Sequence, residues 1–190
     1  QEVYVQNKER VLSYLSRQMK GYDIQYYVNV NKYGSCGNVT FSRYPALSKG
    51  HIDFEHSSNM ALYSDYCIGG DTLRVYNCHF ESYNISLSRL ATGLEKDYKK
   101  AVKAAEEKMR RSIVRRPRQV EQVLKDIENC RENVIVAGDF NDTPMSYTYW
   151  RLSRKRKDSF EEAGSGAGAT FSKLRPLLRI DYILFPESYN

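Results

Sequence analysis

The spacing of apolar positions in the first half of the chain predicts one helix and two pairs of strands. Between residues 7 and 20 the apolar side chains recur every three to four positions, which indicates an amphipathic helix. Two pairs of strand-like runs follow, and turn-forming residues join the members of each pair. We therefore expect two β-hairpins, formed by residues 24–30 with 38–41 and by residues 60–67 with 72–79.

The second half predicts helices that cover a sheet. Residues 86–130 have a helical pattern that Pro117 interrupts, so we expect two helices or one helix broken there. Beyond Pro117 the apolar side chains share one face: Val120, Val123, Leu124 and Ile127. The apolar run at 134–137 predicts a buried strand, 145–152 a short helix, 164–168 a flexible loop and 180–185 another core strand.

Length and composition indicate a single globular domain over residues 1–190, and the predicted mixture of strands and helices gives it the α/β class. The chain is long enough for one substantial core, and its 16 Tyr and 7 Phe argue against disorder. Four cysteines show no CxxC spacing, which makes a zinc site improbable and leaves one or two disulfides possible. No apolar run is long enough for a membrane span, and the N-terminus has no signal-peptide pattern.

The net charge of +6 is concentrated in the basic helical segment at about 86–130. Between Lys96 and Arg118, ten basic residues stand against three acidic ones, a local net charge of +7. A solvated helix face is one interpretation of this segment. The other is an anionic partner, either nucleic acid or a lipid surface.

Polar residues follow the predicted core strands closely. Gly138 ends the central apolar run and is followed by Asp139, Asn141 and Asp142, while His79 ends the second hairpin. With Glu2 near the start and Asp181 near the end, several carboxylates can converge at strand ends. Carboxylate and amide oxygens suit Mg²⁺ or Mn²⁺, which favours metal-assisted phosphoryl chemistry over thiol or serine chemistry.

Five short motifs occur in an order that resembles the endonuclease/exonuclease/phosphatase superfamily. They are Gln1-Glu2-Val3, Ser42-Arg43-Tyr44-Pro45, the segment Asn77 to Ser82, the segment Gly138 to Pro144, and the segment Arg179 to Leu184. The superfamily contains relatives of pancreatic deoxyribonuclease, exonuclease III, neutral sphingomyelinases and inositol polyphosphate 5-phosphatases. One such string is weak, but five in order across the chain are specific.

The resemblance implies a sandwich of two mostly antiparallel sheets with flanking helices, and it implies site roles. Glu2 would bind the metal, and Asp139 and Asn141 would hold the attacking water and the phosphate. His79 would contact the phosphate or the leaving oxygen, and Asp181 would orient a catalytic histidine. Arg43 is a candidate substrate-binding residue that could equally pair with a carboxylate at the strand end.

The family's histidine follows the last strand in a Ser-Asp-His string, whereas the histidines of this chain are His51, His56 and His79. We therefore expect a monomeric, divalent-metal-dependent phosphoester hydrolase that acts on nucleic acid, a phospholipid or a soluble phosphate ester, with a catalytic set that extends beyond both ends of this chain. The chain alone should be weak or inactive. A noncatalytic module that binds phosphate or nucleic acid is the alternative. His51 and His56 match no motif, and we expect Tyr149 and Trp150 to pack in the core.

Overall fold

In the computed structural model, a three-stranded and a six-stranded sheet form an α/β sandwich with flanking helices, which confirms the predicted fold class. The structure describes residues 3–5, 8–31, 34–83, 98–171 and 178–189. The smaller sheet has the order β1-β3-β2. Its strands are β1 (Val3–Val5), β2 (Asp23–Asn31) and β3 (Gly34–Ser42), and helix α1 (Lys8–Gln18) follows β1. The first helix and first hairpin are therefore confirmed.

The larger sheet has the order β4-β5-β6-β7-β9-β8. Strands β6 and β7 are parallel, and the other neighbours are antiparallel. Its strands are β4 (Ala46–Asp53), β5 (Met60–Ile68), β6 (Asp71–His79), β7 (Asn133–Asp139), β8 (Arg156–Asp158) and β9 (Asp181–Pro186). The second hairpin, β5 with β6, is confirmed.

Helix α2 (Tyr98–Glu128) lies in the crossover between the parallel strands β6 and β7. Parallel neighbours need such a long connection because the chain must return to the end of the sheet from which it started. The C-terminal part of α2 covers the larger sheet, and Val120 and Val123 are fully buried there. Two short helices follow β7: α3 (Tyr147–Ser153) and α4 (Ser159–Ala163).

Polar side chains join the two sheets. Asn38 on β3 is buried, and its amide nitrogen donates to the carbonyl oxygens of Met60 (3.3 Å) and Asn77 (3.2 Å). The Asn77 amide nitrogen donates back to the Val39 carbonyl oxygen (3.1 Å). The two sheets are therefore held in a defined register as well as packed together.

The structure corrects three expectations. Pro117 does not break α2, which continues across it because Arg116 and Gln119 are anchored on either side by buried contacts that outweigh the lost helical hydrogen bond. Trp150 is not in the core, since 53% of it is exposed. The four cysteines, all of which lie in the described part of the chain, form no disulfide with one another.

Two strands have no clear signal in the sequence. β4 is mostly exposed and contains Ser48, Lys49 and Gly50, so apolar alternation is weak there. β8 has only three residues, at the other edge of the sheet. In the described part of the chain, no helix combines the length and the apolar character needed to cross a membrane.

Candidate active site

His79, Asp139 and Asp181 lie side by side at one end of the larger sheet. His79 pairs with Asp139 across β6 and β7, and Asp139 pairs with Asp181 across β7 and β9. Directly paired residues on neighbouring strands have Cα atoms about 5 Å apart and side chains on the same face. The strand register thus brings together three residues that are separated by 60 and 42 positions in the sequence.

A tight turn after β7 brings Asn141 to the same place. Asn141 has φ 52, a left-handed conformation that Asn tolerates better than most residues. The turn is closed because the Asp139 Oδ1 accepts a hydrogen bond from the Asn141 backbone N–H at 2.7 Å. The Asn141 side-chain nitrogen donates to the carbonyl oxygen of Phe80 at 3.0 Å, which ties Asn141 to the residue after His79.

The chain around Asp181 is held from both sides. The Phe140 N–H donates to the Ile180 carbonyl oxygen at 2.8 Å, which extends the pairing of β7 and β9 past the strand ends. From the loop that precedes β9, the Thr170 hydroxyl oxygen accepts hydrogen bonds from the backbone N–H groups of Ile180 (3.0 Å) and Asp181 (3.1 Å). The position of Asp181 therefore depends on two separate parts of the chain.

Aromatic side chains form the floor beneath these polar groups. The Phe80 and Phe140 rings meet edge to face at 5.6 Å, and the Phe140 and Tyr182 rings lie 4.8 Å apart. All three residues are buried. Burial raises the pKa of the Tyr182 phenol, which stays protonated and donates toward the carbonyl oxygens of Asp142 (2.9 Å) and Arg179 (2.7 Å). This floor restricts the backbone movements of all three strand ends.

Arg116 joins the two loops that follow His79 and Asp139, and sequence reasoning did not assign it to the site. It is 2% exposed. Its Nε donates to the Glu81 carbonyl oxygen at 2.8 Å, and its Nη1 lies 2.7 Å from the Asp142 Oδ2. The guanidinium also stacks on the Tyr83 ring at 4.4 Å. One buried cation therefore sets the spacing between the two loops.

A neighbouring residue on α2 strengthens the same junction. Gln119 is buried, and its Oε1 accepts a hydrogen bond from the Glu81 backbone N–H at 2.8 Å. The Glu81 carboxylate accepts from the Ser57 hydroxyl (2.7 Å) and lies 3.3 Å from the Arg115 Nη1. The available sequence signal was helical phase, since Arg116 precedes Val120 by four positions on the core-facing stripe.

One predicted site residue lies away from these strand ends, and the position of another is not described. Glu2, the predicted metal ligand, lies outside the described residues. Arg43 lies near the opposite end of the strands, where its Nε donates to the Tyr22 hydroxyl at 2.9 Å. Ala46 follows it closely, and the register of β4, β5 and β6 places Ala46 level with Leu73. Leu73 is six positions before His79, or about 20 Å along the strand.

The remaining histidines lie elsewhere. His51 is half-exposed and stacks on Tyr27 with ring centroids 3.7 Å apart. His56 is exposed and has φ 55 in the turn between β4 and β5. Neither is placed by strand register beside Asp139, in line with the sequence, in which they match no motif.

The comparison with family models decides the classification. The model described as the Endonuclease/Exonuclease/phosphatase family matches residues 1–189. The chain belongs to the endonuclease/exonuclease/phosphatase family. Members of this family are typically hydrolytic enzymes, and they commonly use divalent metals such as Mg²⁺. No curated protein sequence matches the chain.

Solved structures from the same family share the fold. An endonuclease/exonuclease/phosphatase from Bacteroides vulgatus has a TM-score of 0.62 and 17% identity, covering 94% of this chain and 69% of its own. The human Nocturnin catalytic domain with bound sulfate anion has a TM-score of 0.58 and 14% identity, and the match covers 95% of this chain and 65% of the Nocturnin chain. D. rerio TDP2 complexed with single strand DNA product has a TM-score of 0.59 and 17% identity, and the match covers 93% of this chain and 66% of the TDP2 chain. The chain thus spans about two thirds of these structures' lengths.

The residues at the strand ends have the right donor chemistry for a hard divalent cation. Asp139 and Asp181 carry carboxylates on neighbouring strands, and Asn141 adds an amide oxygen nearby. Mg²⁺ typically takes one or two carboxylates and keeps several waters, so this set fits it. Within the described residues no group of three or more His, Cys, Asp and Glu side chains is arranged to hold a metal ion.

Proposed function

We propose that the complete protein is a divalent-metal-dependent phosphoester hydrolase that works by in-line attack of water. The observation that carries this proposal is the register of β6, β7 and β9, which aligns His79, Asp139 and Asp181 at one sheet end in a chain of this family. Two carboxylates and an imidazole on adjacent rigid strands can position a water and a phosphate together.

In the proposed reaction, Asp139 accepts a hydrogen bond from the attacking water. Asn141 donates to a phosphoryl oxygen. One N–H of its side-chain amide is used by the Phe80 carbonyl oxygen, and that contact fixes the direction of the second N–H. His79 donates to the phosphate or to the leaving oxygen through a ring N–H. Hydrogen-bond donors fixed in this way stabilise the charge that develops in the transition state.

Glu2 is the proposed metal ligand, and the carboxylates of Asp139 and Asp181 are proposed as further contributors. Mg²⁺ or Mn²⁺, when bound, would neutralise charge on the phosphoryl oxygens. Asp181 is proposed to orient the family's catalytic histidine by accepting a hydrogen bond from its ring, which selects one imidazole tautomer, and that histidine would accept the proton of the attacking water. The two hydrogen bonds from the backbone at 180–181 to Thr170 would keep Asp181 in place for that role.

The proposed substrate is a phosphate ester whose class depends on the loops around the site. Nucleic acid is the first class to test, because the D. rerio TDP2 structure contains a single strand DNA product. Sulfate in the Nocturnin structure shows that a tetrahedral anion binds a protein of this fold.

The test measures hydrolysis by the full-length protein. Wild type and the Asp139→Asn variant are assayed with bis(p-nitrophenyl) phosphate and with a single-stranded oligonucleotide, in Mg²⁺, in Mn²⁺ and in EDTA. We expect metal-dependent turnover by wild type and a loss of several orders of magnitude in the variant. The matched control is Asp71→Asn, which changes an exposed carboxylate at the far end of β6 and should leave the rate unchanged.

A near-normal rate for Asp139→Asn, with an unchanged circular dichroism spectrum, would sink the assignment. If wild type binds the oligonucleotide but shows no turnover with either metal, the noncatalytic phosphate- or nucleic-acid-binding module becomes the better description.

A further inference from the structure

The N-terminal half of α2 has an apolar stripe that is exposed to solvent. Val102, Met109 and Ile113 are 39%, 44% and 55% exposed, whereas Val120 and Val123 farther along the same helix are fully buried. The whole helix has 31 residues, about 46 Å at 1.5 Å per residue. Its second half is therefore a core element, and its first half presents apolar side chains outside the core.

The exposed stripe continues the face that packs on the sheet. Met109 follows Val102 by seven positions, Ile113 follows Met109 by four, and Val120 follows Ile113 by seven. At 3.6 residues per turn these intervals return to the same side of the helix. We name Val102, Met109 and Ile113 the apolar stripe. Its three side chains are 39–55% exposed, so a large part of the stripe faces solvent.

Basic side chains border this stripe. Lys99, Lys103 and Arg110 lie within about 100° of it around the helix, and the exposed Glu106, which follows Val102 by four positions, lies on the same side of the helix as the stripe. The exposed basic residues on α2 up to residue 118 outnumber the acidic ones, Glu106 and Glu107, by seven to two: Lys99, Lys100, Lys103, Lys108, Arg110, Arg111 and Arg118. Arg115 and Arg116 face the body instead, where they contact Glu81 and Asp142. The N-terminal half of α2 is therefore amphipathic, and its polar side is strongly basic.

The charge argues against a second copy as the occupant. Pairing two such helices would bring like charges together, and the stripe covers about two heptads, fewer than the three or four of a sustained coiled coil. Nucleic acid would satisfy the basic residues, but a phosphate backbone leaves the apolar stripe without a role. An anionic lipid surface satisfies both features, because its headgroups attract the charges while the stripe enters the boundary of the acyl chains.

We propose that residues 98–113 of α2 dock the protein on an anionic lipid surface, with the helix lying in the plane of the interface. This interaction is independent of the proposed hydrolysis, and its test includes no activity measurement. Basic side chains next to an apolar stripe are the pattern that binds anionic membranes peripherally.

The test is cosedimentation of the full-length protein with vesicles of phosphatidylcholine alone and of phosphatidylcholine with 30% phosphatidylserine. We expect binding to the anionic vesicles only, weakening as salt rises. The Lys99→Glu, Lys103→Glu, Arg110→Glu triple variant should bind at least about 100-fold more weakly, since each basic residue near such a surface contributes about fivefold. The Met109→Gln, Ile113→Gln double variant should bind the anionic vesicles at least about tenfold more weakly than wild type.

Each variant has a matched control. Lys20→Glu, Lys125→Glu and Arg131→Glu give the same net charge but change exposed residues outside the docking helix half, and we expect near-normal binding. Leu47→Gln with Ile183→Gln removes apolar side chains that are 64% and 51% exposed on the larger sheet, and it should also bind normally.

Three results would overturn the proposal. One is an equal loss of vesicle binding in the triple variant on α2 and in its charge-matched control, which would indicate a general effect of net charge. Another is a Met109→Gln, Ile113→Gln variant that binds vesicles as well as wild type, while the protein binds single-stranded DNA with a steep salt dependence. That result would assign the basic side to nucleic acid. The third is a wild type that does not bind anionic vesicles, which would mean that another part of the full-length protein covers the stripe.

Discussion

Replacement of Arg116 tests whether one buried ion pair joins the loops of the candidate site. The guanidinium is 2% exposed and contacts the Asp142 carboxylate at 2.7 Å, while 16% of the Asp142 side chain is exposed. In an Arg116→Met variant the apolar stem is approximately retained but the cation is lost. The Asp142 carboxylate keeps two donors, the Thr143 N–H (3.2 Å) and the Thr148 hydroxyl (3.0 Å).

The magnitude follows from these contacts. Removing one partner of a buried ion pair costs about 3–5 kcal/mol. Because Asp142 keeps two hydrogen-bond donors and is partly exposed, we expect Arg116→Met to lower the free energy of unfolding by about 3 kcal/mol. Asp142→Asn keeps the volume and an acceptor oxygen, so we expect a loss of about 2 kcal/mol. The double variant should lose only about 3 kcal/mol, because neither charge is then left without its partner. The coupling between the two positions is therefore about 2 kcal/mol.

The assay is urea unfolding of wild type, both single variants and the double variant at pH 7, followed by circular dichroism. Arg118→Met is the matched control, since Arg118 lies on the same helix but is exposed. We expect it to change the free energy of unfolding by less than about 0.5 kcal/mol.

Additive losses, close to 5 kcal/mol in the double variant, would refute the reasoning, because they would mean that Arg116 and Asp142 act independently. An Arg116→Met variant as stable as the Arg118→Met control would refute it as well. In that case the loop spacing would depend on the Gln119 contact with the Glu81 N–H instead.

Two further predictions concern the support of the site and the junction of two helices. Thr170→Val removes the hydroxyl oxygen that accepts hydrogen bonds from the Ile180 and Asp181 N–H groups, so hydrogen exchange at these two amides should accelerate by at least about tenfold. The control is Thr72→Val on β6, which should not change the exchange of these amides. The hydrogen bond from Arg151 lowers the pKa of Glu121, so this pair stabilises the fold above the ordinary Glu pKa of 4.5 and the contribution is lost as pH falls through the lowered value. Glu121→Gln should be less stable than wild type at pH 7, by under about 1 kcal/mol because Glu121 is 45% exposed, and the two should converge once the pH has fallen below the lowered pKa of Glu121; a difference in urea unfolding that stays constant from pH 7 into acid would contradict this.

The elements that were predicted correctly have strong local signals. The helix at Lys8–Gln18, both hairpins and the strands around residues 134–137 and 180–185 follow from apolar spacing and turn residues. The missed strands β4 and β8 lie at the two edges of the larger sheet; β4 is mostly exposed and β8 consists of three charged residues, so neither shows the apolar alternation that reveals a strand. Trp150 was misplaced because the helical spacing near it does not show which side of α3 faces the core.

The candidate site divides in the same way. Motif order pointed to His79, Asp139, Asn141 and Asp181, and strand register places His79, Asp139 and Asp181 in neighbouring positions, although their catalytic roles stay predictions. The role of Arg116 was not predicted from the sequence, because a basic residue in a basic segment resembles one more solvated charge. Arg43 has a motif but no place at this end of the sheet.

The sequence by itself determined the local elements, the family and the residue types available for chemistry, because spacing, turn residues and short motifs are local properties. Only the tertiary structure decided which of those residues meet. Strand register aligned residues 79, 139 and 181, and a buried guanidinium joined the loops beside them. The structure also decided that one face of α2 is core in its second half and exposed in its first, since burial depends on how far the sheet extends beneath the helix.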